Sequence, residues 1–241
     1  MYRYHPHHTR RDFIRIFSVR VLGNFLILFS LYMIAWVFYR PVLEEIKYSY
    51  NSFMGKRYAV SEDAQVDQTA NPQDDRPTSG VSLSDILQRN RVQPLIPADP
   101  QYSILIPKLG ANAKIIPGIN AANEREYLDA LKLGVAQASG TGNPGEGHHI
   151  YLFAHSTNTF SNVSRYNALF YLLYKLEPGD EINLYYQGVR HKYQVTGSTI
   201  VDPSEVSYLT STTDFETVTL QTCWPPGTTL QRMLVFAEPV E

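Results

Sequence analysis

The chain has 241 residues, of which 44% are hydrophobic, and a formal net charge of -2 at pH 7. This length is sufficient for one well-packed domain with additional segments. No basic stripe follows the first twenty residues, which argues against nucleic-acid binding, and the single cysteine, Cys223, excludes an internal disulfide.

The N-terminal segment predicts a membrane anchor. Residues 1–20 carry five arginines and one acidic residue, and residues 21–39 carry no charge. Nineteen helical residues cover roughly 28 Å, about the hydrocarbon thickness of a bilayer. The apolar run is long for a cleaved signal peptide and no A-x-A-like site follows it, while a buried core helix would rarely have these flanks. We therefore expect an uncleaved signal anchor over residues 21–39.

The arginine bias also predicts the orientation of this anchor. Arginines precede the apolar run, whereas Arg40 is followed by Glu44 and Glu45. The positive-inside rule then places residues 1–20 in the cytoplasm and everything after Arg40 outside the cytoplasmic membrane.

Residues 40–98 have the composition of a stalk. Residues 61–80 contain almost no large apolar side chain, so they cannot bury enough surface to offset the entropy of ordering, and we expect them to be disordered. Residues 82–89 predict a short helix with a serine at its N-terminus.

A folded domain over residues 99–241 is predicted from short β-branched runs separated by turn signals. A helix is expected over residues 123–133, another over 167–174, and a loop over 140–147. Strands are expected at 104–106, 114–116, 149–154, 181–186, 192–195, 199–201 and 217–223, and from Arg232 to residue 237. Many short strands with few helices favour a closed or nearly closed β barrel.

Cys223 ends a strand in which apolar and polar residues alternate. Val218 and Leu220 face one way, and the alternation places Cys223 on the opposite, polar face. Residues 224–227, Trp-Pro-Pro-Gly, break the strand, and Arg232 opens the next one. A leftover cysteine outside the cell suggests a reactive thiol or an intermolecular bridge, and a fixed guanidinium suits carbonyl oxygens and a developing oxyanion. The alternative is a buried structural cysteine with a surface arginine.

A thiol nucleophile is usually activated by a histidine. His155 has the favourable context, because it directly follows the buried strand 149–154. Its alternative interpretation is a hydrogen-bonded core histidine. His148 and His149 are rivals that open this strand, and His191 lies in a polar turn.

These motifs resemble the sortases, membrane-anchored cysteine transpeptidases of bacterial surfaces. The resemblance rests on TLQTC at 219–223, on Arg232 nine positions later, and on FAHS at 153–156. It extends from about Tyr102 to the C-terminus through IPKLGANAKIIPG (106–118), GVAQASGTGNPGEG (134–147), YNALFYLLYKLEPGDEI (166–182) and IVDPSEVSYL (200–209).

The resemblance implies a mainly β catalytic domain over residues 99–241, built as a closed eight-stranded sortase-type β barrel with short helices and preceded by one transmembrane helix. It makes Cys223 the nucleophile, His155 the general acid/base and Arg232 the clamp for substrate and oxyanion. Thr222 matches a family position near the bound peptide. Residues 197–216 hold no carboxylate cluster that we assign to calcium, so we expect no metal and no cofactor.

The reaction implied by the resemblance is acyl transfer at the cell surface. Cys223 cleaves a C-terminal sorting signal of the LPxTG kind on a secreted protein and forms a thioester. An amine of the cell wall or of another protein then takes the acyl group. The stalk shows no aromatic-tipped lid, which favours anchoring of single proteins over pilus polymerisation.

Two alternatives remain open on the sequence. An inactive, membrane-tethered barrel that binds peptides is disfavoured by the intact Cys223, His155 and Arg232. A cysteine endopeptidase that only hydrolyses its acyl-enzyme is distinguished from a transpeptidase by the family resemblance alone.

The predicted topology is tested by proteolysis of intact cells. Protease added outside is expected to cut within residues 61–80 and release a barrel-sized fragment, because this stretch is expected to be disordered and outside the membrane. Full protection of this stretch, together with cleavage of an accessible N-terminus, would contradict the orientation.

Overall fold

A computed structural model describes residues 10–54, 56–60, 92–156, 170–210, 213–226 and 228–240. The chain divides into two compact units, Met1–Ile46 and Lys47–Glu241. The stretch 61–80 and the helix expected over 82–89 both lie outside the described residues.

The described part of the first unit is helical and belongs to α1 (Arg10–Phe53). From Lys47 onward this helix belongs to the second unit. Its stretch Phe13–Trp36 is long and apolar enough to cross a membrane, and none of it is buried. Phe25 and Leu28, for example, are 59% and 66% exposed. A helix that is apolar around its circumference and uncovered by protein suits a lipid environment. This suggests membrane anchoring, while the bounds 21–39 and the orientation stay predictions.

The second unit contains a closed β barrel of eight strands, which confirms the expected fold class. Its strands are β3 (Tyr102–Ile106), β4 (Ala111–Ile119), β5 (Val135–Ala138), β6 (His149–Phe153), β7 (Glu181–Tyr186), β8 (Val189–Val201), β9 (Thr217–Trp224) and β10 (Gln231–Pro239). Around the barrel they follow the order β10-β8-β7-β3-β4-β5-β6-β9. Two further strands, β1 (Arg57–Val60) and β2 (Val92–Leu95), pair in parallel as a separate sheet.

The two strands predicted at 192–195 and 199–201 are wrong as separate elements, because both belong to the single strand β8. Between them the pairing with β10 shifts: Gly197 lies opposite Phe236, and Val195 lies opposite Ala237. This irregularity bends the strand without ending it. The polar residues between the two runs therefore mark a bulge rather than a turn.

The strand expected at 114–116 likewise does not end at the following Pro117-Gly118, which was expected to break it. Both residues lie inside β4, where the pairing with β5 shifts between Ile116 and Ile119. Gly118 adopts φ 71°, a left-handed conformation that favours glycine. A bulge thus takes the place of the expected break.

The predicted helix at 123–133 is confirmed as α2 (Glu124–Leu133). The side chain of Asn123 accepts a hydrogen bond from the Glu126 N–H and caps the helix. The second expected helix, at 167–174, is described only from Phe170 onward. That part forms a turn and a 3-10 helix, Leu173–Lys175, rather than an α-helix. A short helix, α3 (Ser207–Thr210), lies between β8 and β9.

Apolar side chains cover both faces of the barrel wall at β6, β9 and β10. The interior holds the main core, with Ile150, Val218 and Leu220 fully buried. A second cluster lies on the outer face and joins Tyr151, Phe153 and Leu234 to residues of α2 and α3. The predicted alternation of β9 is confirmed for Val218 and Leu220, which face the interior. Apolar side chains of the second cluster cover the outer face.

The carboxylate of Glu216, just before β9 begins, accepts hydrogen bonds from two other parts of the barrel. Its Oε2 accepts hydrogen bonds from the backbone N–H groups of Gly145 and Gly147, both at 2.9 Å. Its Oε1 accepts from the hydroxyl of Tyr193 at 2.5 Å. Burial, together with the hydrogen bond and charge of Glu216, raises the pKa of Tyr193. One carboxylate thus fixes the loop 140–147 and the core tyrosine of β8 to the start of β9.

We expect Glu216→Ala to lower the free energy of unfolding by about 2–4 kcal/mol, because it leaves the buried Tyr193 hydroxyl without an acceptor. Glu205→Ala is the matched control, since Glu205 is exposed and accepts hydrogen bonds from Ser207, two residues further along the chain. Urea titration of the full-length protein in detergent measures both variants. Equal midpoints for the two would contradict the role assigned to Glu216.

Candidate active site

Cys223 and Arg232 lie directly opposite each other on neighbouring strands. They form a pair in the antiparallel register of β9 and β10. Paired residues in such a ladder have their Cβ atoms roughly 5 Å apart and on the same face of the sheet. Both side chains are partly exposed. The thiol and the guanidinium predicted from the sequence therefore share the outer face of the barrel.

Strand β6 runs parallel to β9 on the other side of it. The register extends from His149 opposite Thr217 to Phe153 opposite Gln221. Parallel strands place their carboxyl ends at the same edge of a sheet. The chain segment that follows β6 therefore emerges at the barrel end where β9 carries its cysteine.

Two hydrogen bonds continue this register beyond the end of β6. The Ala154 N–H donates to the Gln221 carbonyl, and the Thr222 hydroxyl donates to the Ala154 carbonyl, both at 3.1 Å. Continued by one residue, the register brings His155 level with Cys223. Neighbouring strands lie about 4.8 Å apart, so the fold brings together the backbone positions of the predicted nucleophile and base.

His155 is partly buried, and its burial lowers the pKa of the imidazole from its ordinary value of 6.5. Desolvation disfavours the charged form of a histidine. The ring is therefore mostly neutral near pH 7, which is the state that can accept a proton from a thiol.

The rival histidines lie elsewhere. The ring Nε2 of His149 is 2.9 Å from the hydroxyl of Thr219, and the side chain is buried. His149 pairs with Thr217, six residues before Cys223, which corresponds to about 20 Å along the strand. His148 is exposed next to it. His191 lies on β8, which strand β10 separates from β9. His155 is thus the histidine that the register brings to the cysteine.

The guanidinium of Arg232 is held by the loop between β9 and β10. Its Nη1 donates to the carbonyl groups of Thr229 and Gln231, both at 3.2 Å. Its Nε and Nη2 groups have no hydrogen-bond partner in the part of the chain that the structure describes. The guanidinium is therefore held through Nη1 and retains the N–H donors of Nε and Nη2.

Two outer-face residues that the sequence reasoning did not single out adjoin this site. The hydroxyl of Tyr151 donates to the side-chain carbonyl of Gln221. Burial raises the pKa of Tyr151, and the positive charge of Arg232 opposes that rise. Gln221 lies two residues before Cys223 and so shares its face. Strand alternation was the signal that could have identified both residues.

Thr222 is almost fully buried at 3% exposure, and strand alternation turns it to the other face of β9 from Cys223. Its hydroxyl holds the carbonyl of Ala154, the residue before His155. This contact fixes the end of β6 to the residue before the cysteine. The assignment of Thr222 to substrate binding stays a prediction.

Within the described ranges, no group of three or more His, Cys, Asp or Glu side chains could hold a metal ion. The expectation of a metal-free site stays a prediction.

These features define a closed, mixed β barrel with a cysteine, a histidine and an arginine position gathered at one end. The family model for the sortase domain matches residues 104–240, more than half of the chain. The chain therefore belongs to the sortase family.

Individual relatives show the same likeness. Sortase A of Listeria monocytogenes serovar 1/2a (strain ATCC BAA-679 / EGD-e) is 30% identical over 137 residues, 56% of this chain and 54% of that protein, so this chain spans about half the length of that relative. The crystal structure of sortase C-1 from Actinomyces oris is 29% identical, with a TM-score of 0.50 over 60% of this chain and 76% of that one. Sortase A from Corynebacterium diphtheriae is 28% identical, with a TM-score of 0.48 over 58% of this chain and 60% of that one.

The environment of His155 predicts an acid-shifted titration. We expect the imidazole pKa to lie below 6.5 in the folded protein, because burial penalises the imidazolium. Between pH 6.5 and the lower pKa of the folded state, the unfolded chain binds more protons at this histidine than the folded chain does. The contribution of His155 to the free energy of unfolding therefore decreases as the pH falls through this range. NMR titration of histidine-labelled protein measures it, with His155→Gln identifying the signal. A pKa at or above 6.5 would contradict this account.

Proposed function

We propose that this chain is a sortase-type cysteine transpeptidase. It cleaves an LPxTG-like sorting signal near the C-terminus of a secreted protein and transfers the acyl group to an amine, which attaches the protein to the cell surface. The observation that carries the proposal is the register of three neighbouring strands, which pairs Cys223 with Arg232 and extends along β6 to Ala154, the residue before His155.

The first half-reaction forms a thioester. His155 accepts the thiol proton of Cys223 as the sulfur attacks the carbonyl carbon of the scissile peptide bond. The uncommitted donors of Arg232 stabilise the oxyanion of the tetrahedral intermediate. His155 then gives its proton to the departing amine, the C–N bond breaks, and the acyl group remains on the sulfur.

The second half-reaction reverses these roles. An acceptor amine attacks the thioester carbonyl, and His155 takes the proton that the nitrogen loses as the new C–N bond forms. The sulfur leaves and regains a proton from His155. One peptide bond replaces another, so the transfer needs no cofactor and no energy input.

The outer face of the barrel offers a surface for the peptide. The Tyr151–Gln221 hydrogen bond lies beside the cysteine strand, and Phe153 and Leu234 belong to the same apolar cluster. Gln221 is the partly exposed member of this set and lies two residues from Cys223, so an extended peptide bound at the cysteine would contact it. We assign Thr222 a positioning role, because its buried hydroxyl donates to the carbonyl of Ala154, the residue before His155.

The apolar stretch of α1 supports membrane attachment. We propose a single-pass protein in the cytoplasmic membrane, with residues 1–20 inside and residues 21–39 in the bilayer. Residues 40–98 then form the stalk, and residues 99–241 form the catalytic domain outside. The arginine bias of the first twenty residues supports this orientation.

Replacement of Arg232 tests the clamp and the proposed chemistry together. We expect Arg232→Lys to lower kcat/KM for transfer of a sorting peptide to an amine by about 10²–10³-fold, because lysine cannot reproduce the planar fork. Alkylation of Cys223 by iodoacetamide should persist. The assay uses full-length protein in detergent, and Cys223→Ala gives the baseline without a nucleophile.

Arg190→Lys is the matched control. The Arg190 guanidinium bonds Glu181 and Asn183 on β7, remote from Cys223, so we expect less than a few-fold change. Near-normal transfer by Arg232→Lys would refute the clamp. Turnover by Cys223→Ala at the wild-type rate would refute the proposed reaction.

A further inference from the structure

Four side chains form a cluster that joins the end of α1 to the cysteine strand. The Nζ atom of Lys175 lies 4.7 Å from the ring centre of Tyr174 and 5.6 Å from that of Tyr48. The ring centres of Tyr174 and Trp224 are 5.6 Å apart. We call these four residues the Lys175 cluster. Because Trp224 directly follows Cys223, the cluster ends beside the residue proposed as the nucleophile.

We propose that Lys175 is a positioning residue for the transpeptidase reaction proposed above, on which this inference rests. Its ammonium group holds the ring of Tyr174 against Trp224, and this contact fixes the end of the strand that carries Cys223. The C-terminal end of α1 takes part through Tyr48. A segment far from the cysteine in sequence thus supports the site.

The end of β9 needs such support because its two neighbouring strands do not extend equally far. Pairing of β9 with β6 ends at Gln221, whereas pairing with β10 continues through Cys223 to Trp224. The ends of secondary-structure elements are among the parts of a fold that open most readily. Residues 225 and 226 are prolines, which lack the N–H that would continue the ladder. A side-chain contact at Trp224 is therefore a means of fixing these last strand residues.

Trp224 can fix this end without covering the thiol. Its side chain packs against the main core, and strand alternation places it on the opposite face of β9 from Cys223. Trp224 pairs with Gln231, the residue before Arg232. The loop that follows Trp224 also accepts a hydrogen bond from the Arg232 guanidinium at the carbonyl of Thr229. Movement of Trp224 would therefore disturb the thiol and the guanidinium together.

The contact of Lys175 with the two tyrosines is a cation–π interaction. An ammonium group within about 6 Å of an aromatic ring centre is attracted by the negative face of the ring. Lys175 meets this distance for Tyr48 and Tyr174 at once. All three side chains are partly buried, which strengthens the attraction relative to that of a fully exposed pair. The charge of Lys175, rather than its length alone, is therefore expected to matter.

The turn that carries Lys175 is anchored to the barrel independently of the cluster. Lys175 ends the 3-10 helix Leu173–Lys175, whose first residue is fully buried in the main core. Just beyond it, Glu177 and Asp180 each form an ion pair with Lys108 at 2.8 Å. The ammonium group thus extends from a fixed backbone, so it can hold the aromatic rings in place.

Fluorescence tests the cluster directly, because Trp224 is one of two tryptophans in the chain. Trp36→Phe removes the other, and acrylamide quenching of this full-length protein in detergent then reports access to Trp224 alone. In this background we expect Lys175→Met to raise the quenching constant about twofold or more, because the indole is no longer held. Lys175→Arg keeps the charge and should keep the quenching constant of the parent.

The expected consequence for the reaction is a lower kcat for transfer of a sorting peptide to an amine. With Trp36 present, Lys175→Met should lower kcat about three- to tenfold at an unchanged KM, because alignment of the reacting groups is lost while peptide binding is retained. Tyr48→Leu should act in the same direction, whereas Tyr48→Phe keeps the ring. Lys132→Met is the matched control, since Lys132 is exposed on α2 and pairs with Asp129. The Tm of Lys175→Met should match that of this control.

The outcomes separate the cluster from the reaction. Equal quenching in the parent and in Lys175→Met, or equal increases in Lys175→Met and Lys175→Arg, would overturn the positioning role whatever the protein transfers. A rise in quenching with an unchanged kcat would overturn it as well, and so would a kcat loss accompanied by a Tm below that of Lys132→Met. Faster quenching together with faster amide hydrogen exchange in β9, in a protein whose wild type transfers no peptide, would uphold the positioning of Cys223 and refute the proposed reaction.

Discussion

The parallel pairing of β6 with β9 is the constraint on which the site depends. Because the two strands run in the same direction, the residues at their carboxyl ends meet at one edge of the barrel. The register puts Phe153 opposite Gln221, and the hydrogen bonds of Ala154 extend it towards the cysteine. Strand β10 then returns antiparallel after a short loop and lays Arg232 beside Cys223. A slip of one residue in either pairing would turn a reacting side chain to the wrong face.

The barrel wall at β6, β9 and β10 has two faces with different packing. Its inner face is filled by the main core, which fixes the strands. Its outer face carries a second apolar cluster beneath α2 and α3, together with polar groups that are buried but bonded, such as His149 with Thr219. The partial burial of His155 lowers the pKa of its imidazole. Glu216 fixes the start of β9 to a loop and a core tyrosine, so the strand that carries the cysteine is held at both ends.

Local sequence patterns were sufficient for the elements with strong signals. The alternation of Val218 and Leu220 predicted the inward face of β9, and Asn123 marked the start of α2. The short strands and turn signals predicted a β barrel. The number of eight strands was predicted from the resemblance to sortases. The bulges in β4 and β8 were missed, because a shift in register depends on the partner strand and polar or glycine residues resemble a turn. The Tyr151–Gln221 contact was missed for the same reason, since it joins residues distant in sequence.

The central claim is that Cys223 carries the acyl group between substrate and amine. The most direct measurement is mass spectrometry of full-length protein incubated with a sorting peptide, quenched in acid before and after addition of an amine. The account predicts a mass increase equal to the acyl fragment on the peptide that contains Cys223, sensitive to hydroxylamine. The amine should discharge it and yield one amide product for each adduct lost. Formation of that product with no adduct on Cys223, or at an equal rate in Cys223→Ala, would contradict the account.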